Sequence, residues 1–201
     1  MYTKTTTLLL LLNTVLLLYA CNDNKKSTLT TDDKTPVAEE ELYDIDSEMT
    51  FNDVRSVLEI LKGSTDYDTF HKSLKSAEMI SSLDSLTQIT VFAPINGGFN
   101  RISDSKLAQL QTAGGRDEMR NLLNYHIVAE EYDFDTLKST IKFNNDVFRL
   151  KTFNGSLIAL TIDNGNILIT DESGHQSKII RPDLEAENGV VHVIDAVLIT
   201  K

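Results

Sequence analysis

Asn188-Gly189-Val190-Val191-His192-Val193-Ile194-Asp195-Ala196-Val197-Leu198-Ile199 dictates how the rest of the chain must be arranged. Its apolar residues run almost unbroken and are mostly β-branched, the composition of a strand covered on both faces. An Asn-Gly turn opens it, and His192 and Asp195 are the only polar side chains that interrupt it. Such a strand belongs at the centre of a domain, so the residues before it must supply neighbours on both edges and cover for both faces.

The residues immediately upstream read as an antiparallel meander. Val147-Phe148-Arg149-Leu150-Lys151-Thr152-Phe153 alternates apolar and polar side chains and meets Asn154-Gly155; a run over 157–162 meets Asp163-Asn164-Gly165-Asn166; residues 167–170 follow. Asn-Gly between alternating runs is a strong hairpin signal, because the tight turn needs positive φ at its central residues. A further strand over 177–181 is expected to stop at Pro182, which has no N–H to offer a ladder. Earlier, Ile89-Thr90-Val91-Phe92-Ala93-Pro94 reads as a short strand closed by its proline.

Helices occupy the front of the domain. Val54, Val57, Leu58 and Leu61 share one helical face, with Thr50 and Asp53 as a capping box and Gly63 as the stop. One helix is expected over 66–81 with Phe70, Leu74, Ala77 and Ile80 inward, another near 105–111, and another from Arg116 with Met119, Leu122 and Leu123 apolar. Helices first and a meander later define an α+β domain.

The chain has 201 residues, enough for one domain plus appendages, and 41% of them are apolar. Its net charge of −11, from 19 Lys and Arg against 30 Asp and Glu, excludes nucleic acid as the expected partner, since a phosphate-binding surface needs clustered cations. Cys21 is the sole cysteine, so no intramolecular disulfide forms.

Residues 1–20 read as an address. The apolar run over 8–18 is too short to span a bilayer, which takes roughly 20 residues, but suits a secretory signal. It ends in Leu18-Tyr19-Ala20-Cys21, which resembles the lipobox of bacterial lipoproteins and implies acylation of Cys21. Acyl chains contribute about 0.8 kcal/mol per buried CH₂, so the membrane becomes a partner through lipidated Cys21. The expected location is the cell envelope, lipid-anchored at the outer membrane and either periplasmic or surface-exposed. Residues 21–48 are polar, acidic and aperiodic, as expected of a disordered tether. Residues 49–201 form the globular domain.

Three segments, taken in order, resemble the signatures of fasciclin-like (FAS1) domains. Thr90, Phe92, Ala93 and Pro94 with Asn96 and Phe99 resemble the first; Tyr125-His126 after Leu122-Leu123 resembles the central Tyr-His motif; Asn188-Gly189 with His192 and Asp195 resembles the second signature, preceded by Asp183-Leu184. The resemblance implies a β-sandwich or wedge of about seven strands flanked by helices. It also implies extracellular adhesion or protein association in a mostly non-enzymatic family. Ile95 stands where the family usually has a hydroxyl, and Gly97-Gly98 is expected to loosen that turn.

His126, His192 and Asp195 would suit zinc or iron as two His and a carboxylate, but no His-Glu-x-x-His signature accompanies them. The reading adopted is that both histidines are core imidazoles bonded to backbone, Asn96 or Asp195, with no metal and no cofactor. His71 and His175 are expected to be solvated, Tyr125 to be core and Asp195 to hold a turn. No Gly-x-Ser-x-Gly elbow, phosphate loop or reactive cysteine is present, and pairs such as Asp183 with Glu185 are common in so acidic a chain. An enzyme is therefore not expected. The function expected is a membrane-anchored extracytoplasmic binding or adhesion module with an unknown protein or matrix partner, or a second copy of itself. The alternative is an accessory glycan-capturing lipoprotein of an outer-membrane uptake system, against which the lack of Trp counts.

Overall fold

The computed structural model describes residues 55–201; the signal sequence, Cys21, the tether and the Thr50 and Asp53 pair lie outside the described residues. Helix α1 (Val57–Lys62) begins at Ser56, whose Oγ accepts from Glu59 N–H at 3.3 Å while the Glu59 carboxylate accepts from Ser56 N–H at 3.0 Å. The capping box is thus Ser56 and Glu59, not the earlier pair, and Val57, Ile60 and Leu61 turn inward from it. Gly63 caps the C-terminal end.

The single helix expected over 66–81 is two, α2 (Asp68–Ser76) and α3 (Ile80–Asp84). Glu78 takes φ 56°, and Met79 and Glu78 donate to the carbonyls of Leu74 and Lys75, the paired bonds of a left-handed helix cap. The break redirects the chain so that Met79 and Leu83 are buried along with Phe70, Leu74 and Ala77; Ile80 is only half-buried.

Strand β1 (Ile89–Pro94) follows, then a 3₁₀ turn over Asn96–Arg101, α4 (Asp104–Leu110), α5 (Arg116–Asn124) and the two-residue β2 (Ile127–Val128). Helix α6 (Phe134–Phe143) occupies a stretch that the sequence reading left unassigned. Asp133 caps it by accepting from Thr136 N–H at 2.6 Å, and Leu137 and Ile141, one turn apart, are its buried stripe.

The meander is β3 (Phe148–Lys151), β4 (Leu157–Asp163), β5 (Asn166–Thr170), β6 (Gln176–Ala186) and finally β7 (Gly189–Ile194). Asn164 and Gly165 both have positive φ at the β4–β5 hairpin, as its Asn-Gly signal requires. Pro182 does not end its strand. Register slips between Ile179 and Arg181 and between Arg181 and Leu184 form an irregular stretch where the ladder asks no N–H of Pro182, and Asp183 takes φ 55° there.

The seven strands form one sheet in the order β2-β1-β7-β6-β5-β4-β3. All pairs are antiparallel except β1 with β7, which run parallel with Ile89 opposite Gly189 and Pro94 opposite Ile194. The first and last strands of that order meet at a bridge between Val128 and Thr152, where Phe153 N–H donates to the Ile127 carbonyl at 2.8 Å. The sheet is therefore curled almost into a barrel with helices against it, the expected α+β architecture with seven strands.

Two cores result from strand alternation. Ile89, Val91, Ala93, Val191 and Val193 face the helices and pack with α1, α2 and α5; Phe92 and Ile194 face the concave side with Leu150, Ile158, Leu160, Ile167 and Ile169. The central strand is buried on both faces, which explains its unbroken apolar run. The hairpins β3 to β5 bury only their concave face, so their sequences alternate.

Candidate functional site

The residues that resembled family signatures converge on the β1–β7 seam. Gly189 sits where β7 starts beside β1, and a Cβ there would collide with the Ile89 carbonyl. Asn188, just before it, spreads its carboxamide between two distant elements: Oδ1 accepts from Val57 N–H at 2.9 Å and Nδ2 donates to the Leu86 carbonyl at 3.1 Å. Asn96 repeats the device at the other end of β1, accepting from Thr69 N–H at 2.8 Å and donating to the Thr65 carbonyl at 2.6 Å. Each asparagine thus satisfies an otherwise orphaned N–H in the first turn of a helix, α1 and α2 respectively. Neither contacts a histidine.

His126, fully buried at the end of α5, is tied to backbone alone. Nδ1 lies 2.8 Å from the Leu122 carbonyl and Nε2 accepts from Leu198 N–H at 3.0 Å, which makes Nδ1 the protonated nitrogen. Desolvation lowers its pKa to about 4, against the raising influence of the Leu122 carbonyl and the Asp171 carboxylate. His192 has the opposite tautomer: Nε2 donates to the Tyr132 carbonyl at 2.8 Å and Nδ1 accepts from Asp183 N–H at 3.2 Å. Burial lowers its pKa as well, outweighing the Tyr132 carbonyl and the carboxylates of Asp183 and Asp133. Both rings are neutral, with both nitrogens engaged. Neither has a lone pair aimed at open space, so neither is placed to act as a general base or a ligand.

Thr90 donates to the Glu130 carbonyl at 2.7 Å and accepts from Tyr132 N–H at 2.9 Å, fastening the chain after β2 to β1. Tyr125 is buried; its hydroxyl donates to the Leu157 carbonyl at 3.1 Å and accepts from Glu172 N–H at 2.9 Å, and desolvation pushes its pKa up to about 12. Phe92 packs against the His192 ring at 5.7 Å, and Ala93, Pro94 and Phe99 are buried. Asp195 is exposed and pairs across to Lys178, its carboxylate accepting from Lys178 N–H at 2.8 Å. His175 is exposed and His71 half-buried.

Gly98 does not loosen its turn. It is buried, a Cβ there would lie 2.9 Å from Ala196 Cα and from the Asp195 carbonyl, and its own carbonyl accepts from Val197 N–H at 3.1 Å. The glycine is there for close packing of the turn on the chain after β7; Gly97 meets no such neighbour.

Two residues absent from the sequence reading complete the scaffold. Arg101 binds the carbonyls of Val197 and Gln176, and Asp171, buried, accepts from His175 N–H at 2.9 Å and Ile199 N–H at 3.0 Å. Arg101 binds backbone brought near only by folding, whereas Asp171 joins a local turn bond at His175 to a distant one at Ile199. His126, His192 and Asp195 are not gathered around a common point, and no three His, Cys, Asp or Glu side chains form a metal-binding group among the described residues. No helix among the described residues is long and apolar enough to cross a membrane.

Comparison with known proteins agrees with this architecture. Protein sll1483 of Synechocystis sp. is 23% identical over 153 residues, covering 76% of this chain and 78% of its own. Stabilin-1 of Homo sapiens is 30% identical over 146 residues, covering 72% of this chain but 5% of stabilin-1. A FAS1 domain pair from the insect cell adhesion molecule Fasciclin I has the same fold, with a TM-score of 0.64 at 23% identity over 72% of this chain and 51% of that one. The chain therefore spans most of the Synechocystis relative, a small part of stabilin-1 and about half of the solved pair. The fasciclin domain model matches residues 65–200, from α2 to the end of the seam, and the chain belongs to the fasciclin domain family.

Proposed function

We propose that this chain is a membrane-anchored extracytoplasmic binding and adhesion module, held by lipidated Cys21 and making protein–protein or cell–matrix contacts through its surface. One observation carries the reading: most signature side chains are buried or bonded to the chain's own backbone, leaving recognition to the periphery. The likeness to a cell adhesion molecule supports it.

The test is crosslinking of the lipidated chain in its own cells, with Cys21→Ala as control. The expected result is one protein or matrix component enriched over the control, together with loss of Cys21→Ala from the membrane fraction. No enrichment, with tight binding to a glycan panel, would replace adhesion by glycan capture. That second reading draws on a surface groove with Tyr132, Phe148 and Phe153 in its lining, since sugars stack on such rings.

A further inference from the structure

The seam between β2 and β3 is joined at one end only. Beyond the Val128–Thr152 bridge, Thr90 holds the chain at Glu130 and Tyr132 against β1, and β3 is left with an open edge. Between them lies a groove of about 450 Å³ whose lining includes Glu130, Tyr132, Phe148, Arg149, Lys151 and Phe153.

The hydrogen-bonding parity of β3 determines what this edge offers. Thr152 N–H turns to β4, donating to the Ser156 carbonyl at 2.9 Å, and Phe153 N–H turns the other way, to Ile127. Alternation along the strand then points the N–H and C=O of Arg149 and Lys151 away from β4, into the groove. Of these four groups the Lys151 carbonyl faces Ala129 N–H at the Val128–Thr152 bridge, while among the described residues the Arg149 N–H and C=O and the Lys151 N–H have no hydrogen-bond partner. The Arg149 and Lys151 side chains are exposed and form no ion pair among the described residues, on a chain with a net charge of −11. Phe148 and Tyr132 lie on the other side, edge to face with ring centroids 5.7 Å apart, and pack against the concave core. Glu130 is the one opposing charge in the lining, and the Tyr132 hydroxyl binds its carboxylate.

We infer that the open edge of β3 is a strand-addition site for an extended segment of a partner protein that alternates acidic and apolar residues. Main-chain pairing with Arg149 and Lys151 would supply the ladder, the acidic side chains would lie beside the two cations, and the apolar ones would enter the groove against Phe148 and Tyr132. A charged edge residue can also serve only to repel unwanted strands, and the experiment separates the two roles.

This inference rests on the binding-module reading and specifies its surface. The full chain in detergent micelles is titrated with a blocked peptide alternating glutamate and valine, about six residues long, the common length of a strand. Hydrogen exchange at Arg149 and Lys151 is followed throughout. Expected are about tenfold slower exchange at both amides and a loss of affinity of about tenfold or more in the R149E/K151E variant. A peptide N-methylated at alternate residues keeps its charges and is expected not to bind. No protection, equal binding of the N-methylated peptide, or protection of the same amides by an oligosaccharide instead would each overturn the proposal. Partner capture in cells that is undiminished in R149E/K151E would also overturn it while leaving the binding module standing.

Discussion

The β1–β7 seam and the β2–β3 seam belong to one sheet but are built in opposite ways. At the first, parallel strands are buried on both faces, a glycine admits the neighbouring backbone, and two asparagines and a histidine take up polar groups with main-chain partners. At the second, one bridge joins strands that then diverge, and the edge carries two exposed cations. Close packing leaves no slack for substitution. The open seam has slack and solvent, and that freedom is what a recognition surface needs.

The contrast can be broken most severely at Gly189. In G189A the new Cβ meets the Ile89 main-chain oxygen most closely, a clash that no side-chain movement relieves, so a loss of about 3 kcal/mol or more is expected. Urea unfolding measures it, and a midpoint close to that of the parent would refute the tight-seam account.

Acid should probe the same buried region. An imidazole of pKa about 4 when folded and near the ordinary 6.5 when unfolded leaves stability unaffected at neutral pH. As pH falls from 6.5 towards 4 the unfolded chain takes up the proton first, so stability declines by about 3 kcal/mol across that window. His192, also lowered, acts in the same direction. Denaturant titrations at several pH values should show a shallower decline in H126Q; an unchanged slope would mean that His126 is not the buried neutral group described here.

A smaller effect is expected in N188A, which orphans Val57 N–H and the Leu86 carbonyl and should cost about 2 kcal/mol. Faster hydrogen exchange in α1 would localise the damage. Smallest is the open seam itself: R149E/K151E should alter stability by no more than about 0.5 kcal/mol. A large loss there would show that both seams are structural and erase the distinction.

Legibility in the sequence follows the range of each interaction. Apolar alternation and Asn-Gly turns place β3, β4 and β5 because their causes lie within a few residues. Helix α6, unassigned from the sequence, nonetheless carries a local signal: Asp133 followed by Phe134, Leu137 and Ile141 is a cap and a stripe. The break at Glu78 was not legible, since a glutamate in the left-handed region is chosen by what Met79 and Leu83 gain in the core. Nor was the course of β6 past Pro182, where a bulge removes the need for the missing N–H.

The candidate site divides in the same way. The signature residues could be named from their order along the chain and their resemblance to a family, but their partners could not: Asn188 reaches Val57, and Leu198 reaches back to His126. The open edge of β3 had no sequence signal, because Arg149 and Lys151 look like any solvated face of a strand.

By itself the sequence determined the class of the domain, the central strand and its family resemblance, because burial on both faces requires a continuous apolar run and hairpins require particular turn residues. Only the tertiary structure decided that the asparagines cap helices, that the histidines are neutral and tied to backbone, and that one seam stays open. Those outcomes depend on which distant backbone groups are left without partners once the sheet has curled, a property of no local stretch.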